Sequence, residues 1–145
     1  MKFRRPRLMN SKRITNPQKR LDEFSKILDS LNNLDCPVVV EGKRDTFALK
    51  NIGYNGKIIE LNDGHSVLTT VERLAQKLGT AGKFVIMTDW DRTGGKLAKQ
   101  LKDYGESNDL QPDLTIRRSL ALLFSKDISC IEELPTVIKT LSLQA

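Results

Sequence analysis

The chain has 145 residues, 39% of them hydrophobic and 29% charged, and carries a formal net charge of +6. That is enough chain for one domain with a real core, in a composition ordinary for a globular protein rather than a disordered or fibrous one. No apolar run nears the length that spans a bilayer, no signal-peptide core follows the basic start, and Cys36 and Cys130 stand outside any CxxC or Cys/His cluster, which argues against a membrane protein, a disulfide framework and a zinc site and leads us to expect a cytoplasmic protein.

The charge is unevenly placed. Eight basic residues (Lys2, Arg4, Arg5, Arg7, Lys12, Arg13, Lys19, Arg20) and no acidic one fall in the first twenty positions, so the other 125 residues carry 16 basic and 18 acidic groups, a net of −2. With Pro6 and polar residues between the charges, residues 1–15 have no periodicity able to bury a face and read as a flexible basic arm ahead of a single domain at 16–145. Such an arm suits salt-sensitive, sequence-tolerant contact with nucleic-acid phosphates, the alternative being a solubilising tail. Asn16-Pro17 then supplies a cap and a first-turn proline, and Leu21, Phe24, Ile27, Leu28, Leu31 and Leu34 recur at helical spacing.

Val38-Val39-Val40 is a buried strand that ends in Glu41 and Gly42, a carboxylate at a strand C-terminus followed by a residue that lets a ligand approach the backbone. A short helix is expected at 46–52 with Phe47, Ala48 and Ile52 as its apolar positions, Asp45 as its cap and Gly53 closing it. Residues 57–61 form another strand, leading into a turn that holds His65. This is the chain's one histidine, with no second to build a triad or two-His metal site, so it reads as a loop residue. Val67, Leu68, Val71, Leu74, Ala75 and Leu78 mark the next helix, ended by Gly79.

The apolar run Phe84-Val85-Ile86-Met87 breaks at Thr88 into Asp89-Trp90-Asp91, then Arg92-Thr93-Gly94-Gly95. This is a buried parallel strand delivering two carboxylates at the edge where α/β sheets bind ligands. A strand that ends between Asp89 and Asp91 can turn both toward one hard cation such as Mg²⁺. A plain polar connection is the other reading of the same turn. A helix at 96–104 follows, then a polar loop at 105–113, a last strand at 114–116, and a terminal helix opened by a capping box at Ser129 and Glu132. Strand alternating with helix predicts an α/β fold with a central parallel sheet of about four strands flanked by helices. No GxGxxG or P-loop follows the first strand, which disfavours a nucleotide-binding Rossmann domain.

Val38 to Asp45 (VVVEGKRD), followed 48 residues after Glu41 by Asp89 to Gly94 (DWDRTG), resembles the Toprim domain. This Rossmann-like module is shared by topoisomerases, bacterial primases, certain nucleases and recombination mediators. In overall look the chain is similar to the small stand-alone, primase-like Toprim proteins of archaea and to the bacterial nuclease that matures 5S ribosomal RNA. The resemblance implies that Glu41 is a general acid or base and at times a metal ligand. It implies that Asp89 and Asp91 bind Mg²⁺, with Mn²⁺ as a substitute, and that Gly42 and Gly94 are the turn glycines. Lys43, Arg44, Arg92 and Lys96 border the same edge and are candidates for phosphate contact, with Arg4, Arg5, Arg7, Lys12 and Arg13 of the arm. Tyr54 and Tyr104 lack a supporting motif for topoisomerase chemistry, and the zinc-binding and helicase-interacting regions of a primase are not seen. Two readings remain: a Mg²⁺-dependent nuclease acting on RNA or DNA, and a non-catalytic module that binds nucleic acid or a ribonucleoprotein.

Overall fold

The computed structural model describes residues 14–145. Among them the elements run α1 (Pro17–Asn33), β1 (Val38–Val40), α2 (Lys43–Ile52), β2 (Ile58–Glu60), α3 (Val67–Leu78), β3 (Lys83–Ile86), α4 (Arg92–Ser107), β4 (Gln111–Asp113), α5 (Thr115–Phe124), a 3-10 turn (Ile131–Glu133) and α6 (Leu134–Gln144). The strands form one all-parallel sheet in the order β2-β1-β3-β4. This is the α/β architecture that the alternating pattern predicts.

Both faces of the sheet are covered, and side-chain alternation along the strands decides what covers them. Val38 and Val40 of β1, with Val85 and Met87 from β3 and its continuation, point into a core built from α1, α2, α5, the 3-10 turn and α6. Val39, Phe84 and Ile86 point the other way, onto Val71 and Leu74 of α3 and Ala98 and Leu101 of α4. From β1 the chain steps outward to β2, then returns across β1 to β3 and continues outward to β4. The winding therefore reverses between β1 and β3, and α2 and α4 leave that point toward opposite faces. A crevice outside the strand C-termini at such a reversal is where open α/β sheets place their ligands.

Helix α1 begins as expected, with Asn16 Oδ1 accepting the Lys19 N–H at 3.1 Å and Pro17 in the first turn. Arg20, however, belongs to the core. It is buried, its Nη2 donates to the Leu123 carbonyl at 3.1 Å and to Asp127, and its guanidinium lies 5.3 Å from the centre of the Phe124 ring. It ties α1 to the end of α5, so it is not available for the phosphate contact expected of the basic residues before it.

Four expectations shift. The last strand is at Gln111–Asp113, and Leu114 to Ile116 instead open α5, with Ile116 buried. The polar, proline-containing β4 hides from pattern reading because it is an edge strand, where a residue without an N–H is tolerated. The proposed loop at 105–113 is divided between the end of α4 and β4. The capping box expected at Ser129 and Glu132 does not form: the 3-10 turn follows Cys130 with no side-chain cap, and the Cys130 thiol donates to the Glu133 carboxylate at 3.3 Å instead. Phe47, expected inward, is 68% exposed, because Asp45, Ala48 and Leu49 form the buried face of α2.

Candidate functional site

Glu41 follows β1 directly, and Thr88-Asp89 follows β3, so the two carboxylates stand on adjacent strands at the sheet's C-terminal edge, at the reversal point. They are linked: Glu41 Oε2 accepts the Asp89 backbone N–H at 2.8 Å, across 48 residues of sequence. Asp89 Oδ1 in turn accepts the Ile131 N–H at 2.9 Å, which brings the C-terminal 3-10 turn to the site. Asp91 is the exposed N-cap of α4, its Oδ1 accepting the Gly94 N–H at 2.7 Å. Helix α2 starts at Lys43 rather than at 46, so its N-cap is Gly42 and Asp45, expected as the cap, lies inside the first turn, its Oδ2 accepting the Gly42 N–H at 3.0 Å; one acid thus sits in the opening turn of each helix leaving the crevice.

These carboxylates oppose one another. The Asp89 carboxyl is pushed up to about 6, chiefly by burial, with the Ile131 N–H pulling the other way and the charges of Glu41 and Asp91 adding to the rise. Burial also raises Asp45, relieved by its bond from Gly42 and reinforced by Asp89 and Glu132. Such an edge is uncomfortable without positive charge, and two helix N-termini meet part of that need.

Arg117 meets more of it, and the sequence reading assigned it no role. From α5 its Nε donates to the Thr88 carbonyl at 3.0 Å and its Nη2 to the Asp89 carbonyl at 2.6 Å, a two-point grip on the strand end that carries Asp89. Burial lowers its affinity for the proton, and the attraction of Asp89, Glu41 and Asp91 opposes that. An Arg-Arg pair before an apolar helix gives no clue to which residue turns inward. The usable signal would have been the helical offset, since Arg117 lies three residues before buried Leu120.

The two glycines assigned to the turns behave differently. A Cβ on Gly94 would sit 1.9 Å from the Asp89 carbonyl oxygen, so only glycine lets α4 start against the strand end; the buried Thr88 hydroxyl fixes the same junction by donating to the Gly94 carbonyl at 2.7 Å. At Gly42 the backbone is extended and nothing lies within 4 Å of the position a Cβ would take. The space beside Glu41 is therefore open to a ligand. Lys43, Arg44, Arg92 and Lys96 are all exposed, the first three in the opening turns of α2 and α4 and Lys96 one turn further along α4. Arg4, Arg5, Arg7, Lys12 and Arg13 lie outside the described residues.

Glu41, Asp89 and Asp91 offer an all-oxygen donor set that suits Mg²⁺. Each accepts a backbone N–H on one oxygen, the Glu41 and Asp89 carboxyls also lie within hydrogen-bonding reach of each other, and a divalent charge would relieve the repulsion that raises Asp89. Among the described residues no group of three or more His, Cys, Asp or Glu side chains is placed to hold a metal ion, so the three carboxylates do not form a complete site by themselves. Tyr54 is far from this chemistry: it is buried, its hydroxyl bonds the carbonyls of Lys57 (3.2 Å) and Cys36 (3.4 Å) just before the N-terminal ends of β2 and β1, and burial pushes it up to about 12. His65 lies exposed in its loop.

Comparison with known proteins decides the family. The Toprim domain is matched over residues 36–119, from the residue before Pro37 and β1 into α5. The chain belongs to the Toprim family. It is 38% identical to the UPF0292 protein of Methanosarcina barkeri over 130 residues, covering 88% of each chain, and 36% identical to the UPF0292 protein of Pyrococcus abyssi, covering 83% of this chain and 88% of that one. These are archaeal relatives of similar size, so the likeness is to small stand-alone Toprim proteins. A solved structure of a protein from Aquifex aeolicus superposes with a TM-score of 0.62 at 25% identity, covering 75% of this chain and 95% of that one. Toprim domains are metal-binding modules of nucleic-acid chemistry, and the matched span contains Glu41, Asp89 and Asp91. Among the described residues no helix is long and apolar enough to cross a membrane.

Proposed function

We propose that the protein is a Mg²⁺-dependent nuclease that cleaves phosphodiester bonds of RNA or DNA at the Glu41–Asp89 edge. The observation that carries this reading is the direct link between Glu41 and Asp89 at the reversal point of the sheet, beside an open space at Gly42. Asp89 and Asp91, with Glu41 beside them, would hold Mg²⁺ or Mn²⁺, which supplies charge neutralisation at a phosphoryl oxygen and a more acidic water. Glu41 keeps Oε1 for proton transfer to or from the attacking water or the leaving oxygen, while its Oε2 is fixed by the Asp89 N–H. Arg117 holds the strand end so that Asp89 keeps its place, and Lys43, Arg44, Arg92 and Lys96 steady the flanking phosphates. The arm residues Arg4, Arg5, Arg7, Lys12 and Arg13 add phosphate contacts that raise affinity without reading sequence.

The test is incubation of the full chain with labelled structured RNA, single-stranded DNA and duplex DNA, with Mg²⁺, Mn²⁺ or a chelator, beside Glu41→Gln. Metal-dependent cleavage of at least one substrate is expected, abolished in Glu41→Gln with binding retained. Binding without cleavage under every metal condition would leave the second reading, a non-catalytic nucleic-acid or ribonucleoprotein-binding module. The exposed capping role of Asp91 is the feature that favours that alternative.

A further inference from the structure

Helix α2 turns one continuous stripe to solvent. Asp45, Ala48 and Leu49 are buried, which leaves positions 43, 44, 47, 50 and 51 as the opposite face. Those positions are Lys43, Arg44, Phe47, Lys50 and Asn51. The stripe holds three cations and an exposed aromatic ring, and the helix's one acid, Asp45, faces inward onto the Gly42 N–H. Lys43, Arg44 and Lys50 make no ion pair among the described residues, so their charge is available to a partner.

A single exposed apolar side chain needs no explanation by itself. Phe47 differs in its surroundings. It lies on the same helical face as Lys43 four residues before it and Arg44 three before it, about 6 Å along the axis from the helix start. That start adjoins Glu41 and the open space at Gly42. A protein partner with an apolar contact would gain most from a wider apolar patch, whereas a ring framed by three cations matches a ligand that alternates flat π-faces with negative charge.

We infer that this face of α2 is a stacking platform for an unpaired base, with Lys43, Arg44 and Lys50 on the neighbouring phosphates, so that the nucleic acid reaching the Glu41–Asp89 edge is single-stranded there. A base inside a duplex has both faces covered by its neighbours, and only a splayed or single-stranded base can offer one to Phe47. The inference rests on the nucleic-acid reading above and specifies its substrate class.

The test is fluorescence anisotropy of the full chain with short labelled oligo-uridine and oligo-thymidine strands and with a duplex of equal length, across a salt series. Phe47→Ala should weaken single-strand binding at least about fivefold, with an unchanged salt slope, and leave duplex binding as it was. Phe47→Trp should restore affinity, and Phe47→Leu, which keeps apolar area without a ring, should lose as much as Phe47→Ala. Lys43→Ala, Arg44→Ala and Lys50→Ala should each weaken both nucleic acids and reduce the single-strand salt slope by about 0.7. Because the Phe47 side chain is solvent-exposed, circular dichroism should show every variant folded. Unchanged single-strand affinity in Phe47→Ala, an equal loss on duplex, or full affinity in Phe47→Leu would overturn the platform while leaving the nucleic-acid reading intact. Failure of the unaltered chain to bind any of the three would overturn both.

Discussion

The junction of β3 and α4 is steric enough to predict from one distance. Adding a methyl group at Gly94 places it 1.9 Å from the Asp89 carbonyl oxygen, 2.5 Å from that carbonyl carbon and 2.9 Å from the Asp89 Cα, and all three are backbone atoms. The carbonyl cannot simply swing aside, because it accepts the Arg117 Nη2 bond at 2.6 Å, while the Gly94 carbonyl is held by Thr88. Gly94→Ala must therefore shift the start of α4 or the end of β3. Overpacking of this kind costs up to about 3 kcal/mol or more, against a gain in helix propensity of about 1 kcal/mol, for a net loss of about 2 kcal/mol. In a chain of 145 residues that lowers Tm by about 4–8 °C. The neighbouring Gly95 is the internal control: it is exposed in the same helix with nothing within 4 Å, so Gly95→Ala should raise stability by about 1 kcal/mol. Urea unfolding followed by Trp90 fluorescence and by far-ultraviolet circular dichroism measures both. Equal stabilities for the two variants, or a Gly94→Ala protein as stable as the parent, would refute the packing argument.

Three further outcomes follow from the charges. Since Asp89 binds its proton more tightly in the folded chain, with a pKa of about 6 against an ordinary 3.8, the folded state holds a proton that the unfolded state releases; stability should fall as pH rises through that window, by about 1 kcal/mol after solvent screening, and comparison of urea midpoints at low and neutral pH should show the fall missing in Asp89→Asn. Arg117→Ala leaves the Thr88 and Asp89 carbonyls without their donor and should cost about 1–3 kcal/mol in the same assay, and Arg117→Lys, unable to form the two-point grip, should recover only part of it. Asp89→Asn and Asp91→Asn should each weaken Mg²⁺ binding in calorimetric titration and diminish the rise in Tm that Mg²⁺ gives the parent, and unchanged affinity in both would remove the metal assignment.

How much of this was legible in the sequence depended on how local each signal was. Val38 to Glu41 and Phe84 to Asp91 each carry an apolar run that ends in acid, so the strands, their carboxylates and the parallel sheet could be read directly. Asn16, Gly53 and Gly79 announce helix ends through single-residue chemistry, and they sit at those ends, whereas Asp45 lies inside the first turn of a helix that starts three residues earlier than expected. Edge strand β4 could not be read, because Gln111-Pro112-Asp113 has neither apolar character nor a full set of donors and is a strand only through its pairing with Lys83, Phe84 and Val85. Arg20 and Arg117 look like surface cations in sequence, and burial against Phe124 and beneath Asp89 gives them their roles. Phe47 was misassigned because the helix buries the face of Ala48 and Leu49, with Asp45, and Phe47 lies on the opposite face among three cations.

The acidic edge also draws on chain beyond the Toprim match. Residues 36–119 supply Glu41, Asp89, Asp91 and Arg117, but the turn at Asp89-Trp90 is gripped from outside that span: Ile131 N–H donates to Asp89 Oδ1 at 2.9 Å, Trp90 N–H to the Ser129 carbonyl at 3.0 Å, and Trp90 Nε1–H to the Ile128 carbonyl at 2.7 Å. The segment making these bonds continues into α6, which packs on α1 and α2. Helix α2 begins at the residue after Gly42, so the terminal helices and the site share one packed unit. Anything that changes the charge on Asp89, a proton or a cation, acts on the hydrogen bond from Ile131 and through it on the docking of the C-terminal segment. A double-mutant cycle pairing Asp89→Asn with a substitution in α6 should therefore show non-additive stabilities, and strict additivity would show that the Asp89 carboxyl and the C-terminal segment are independent.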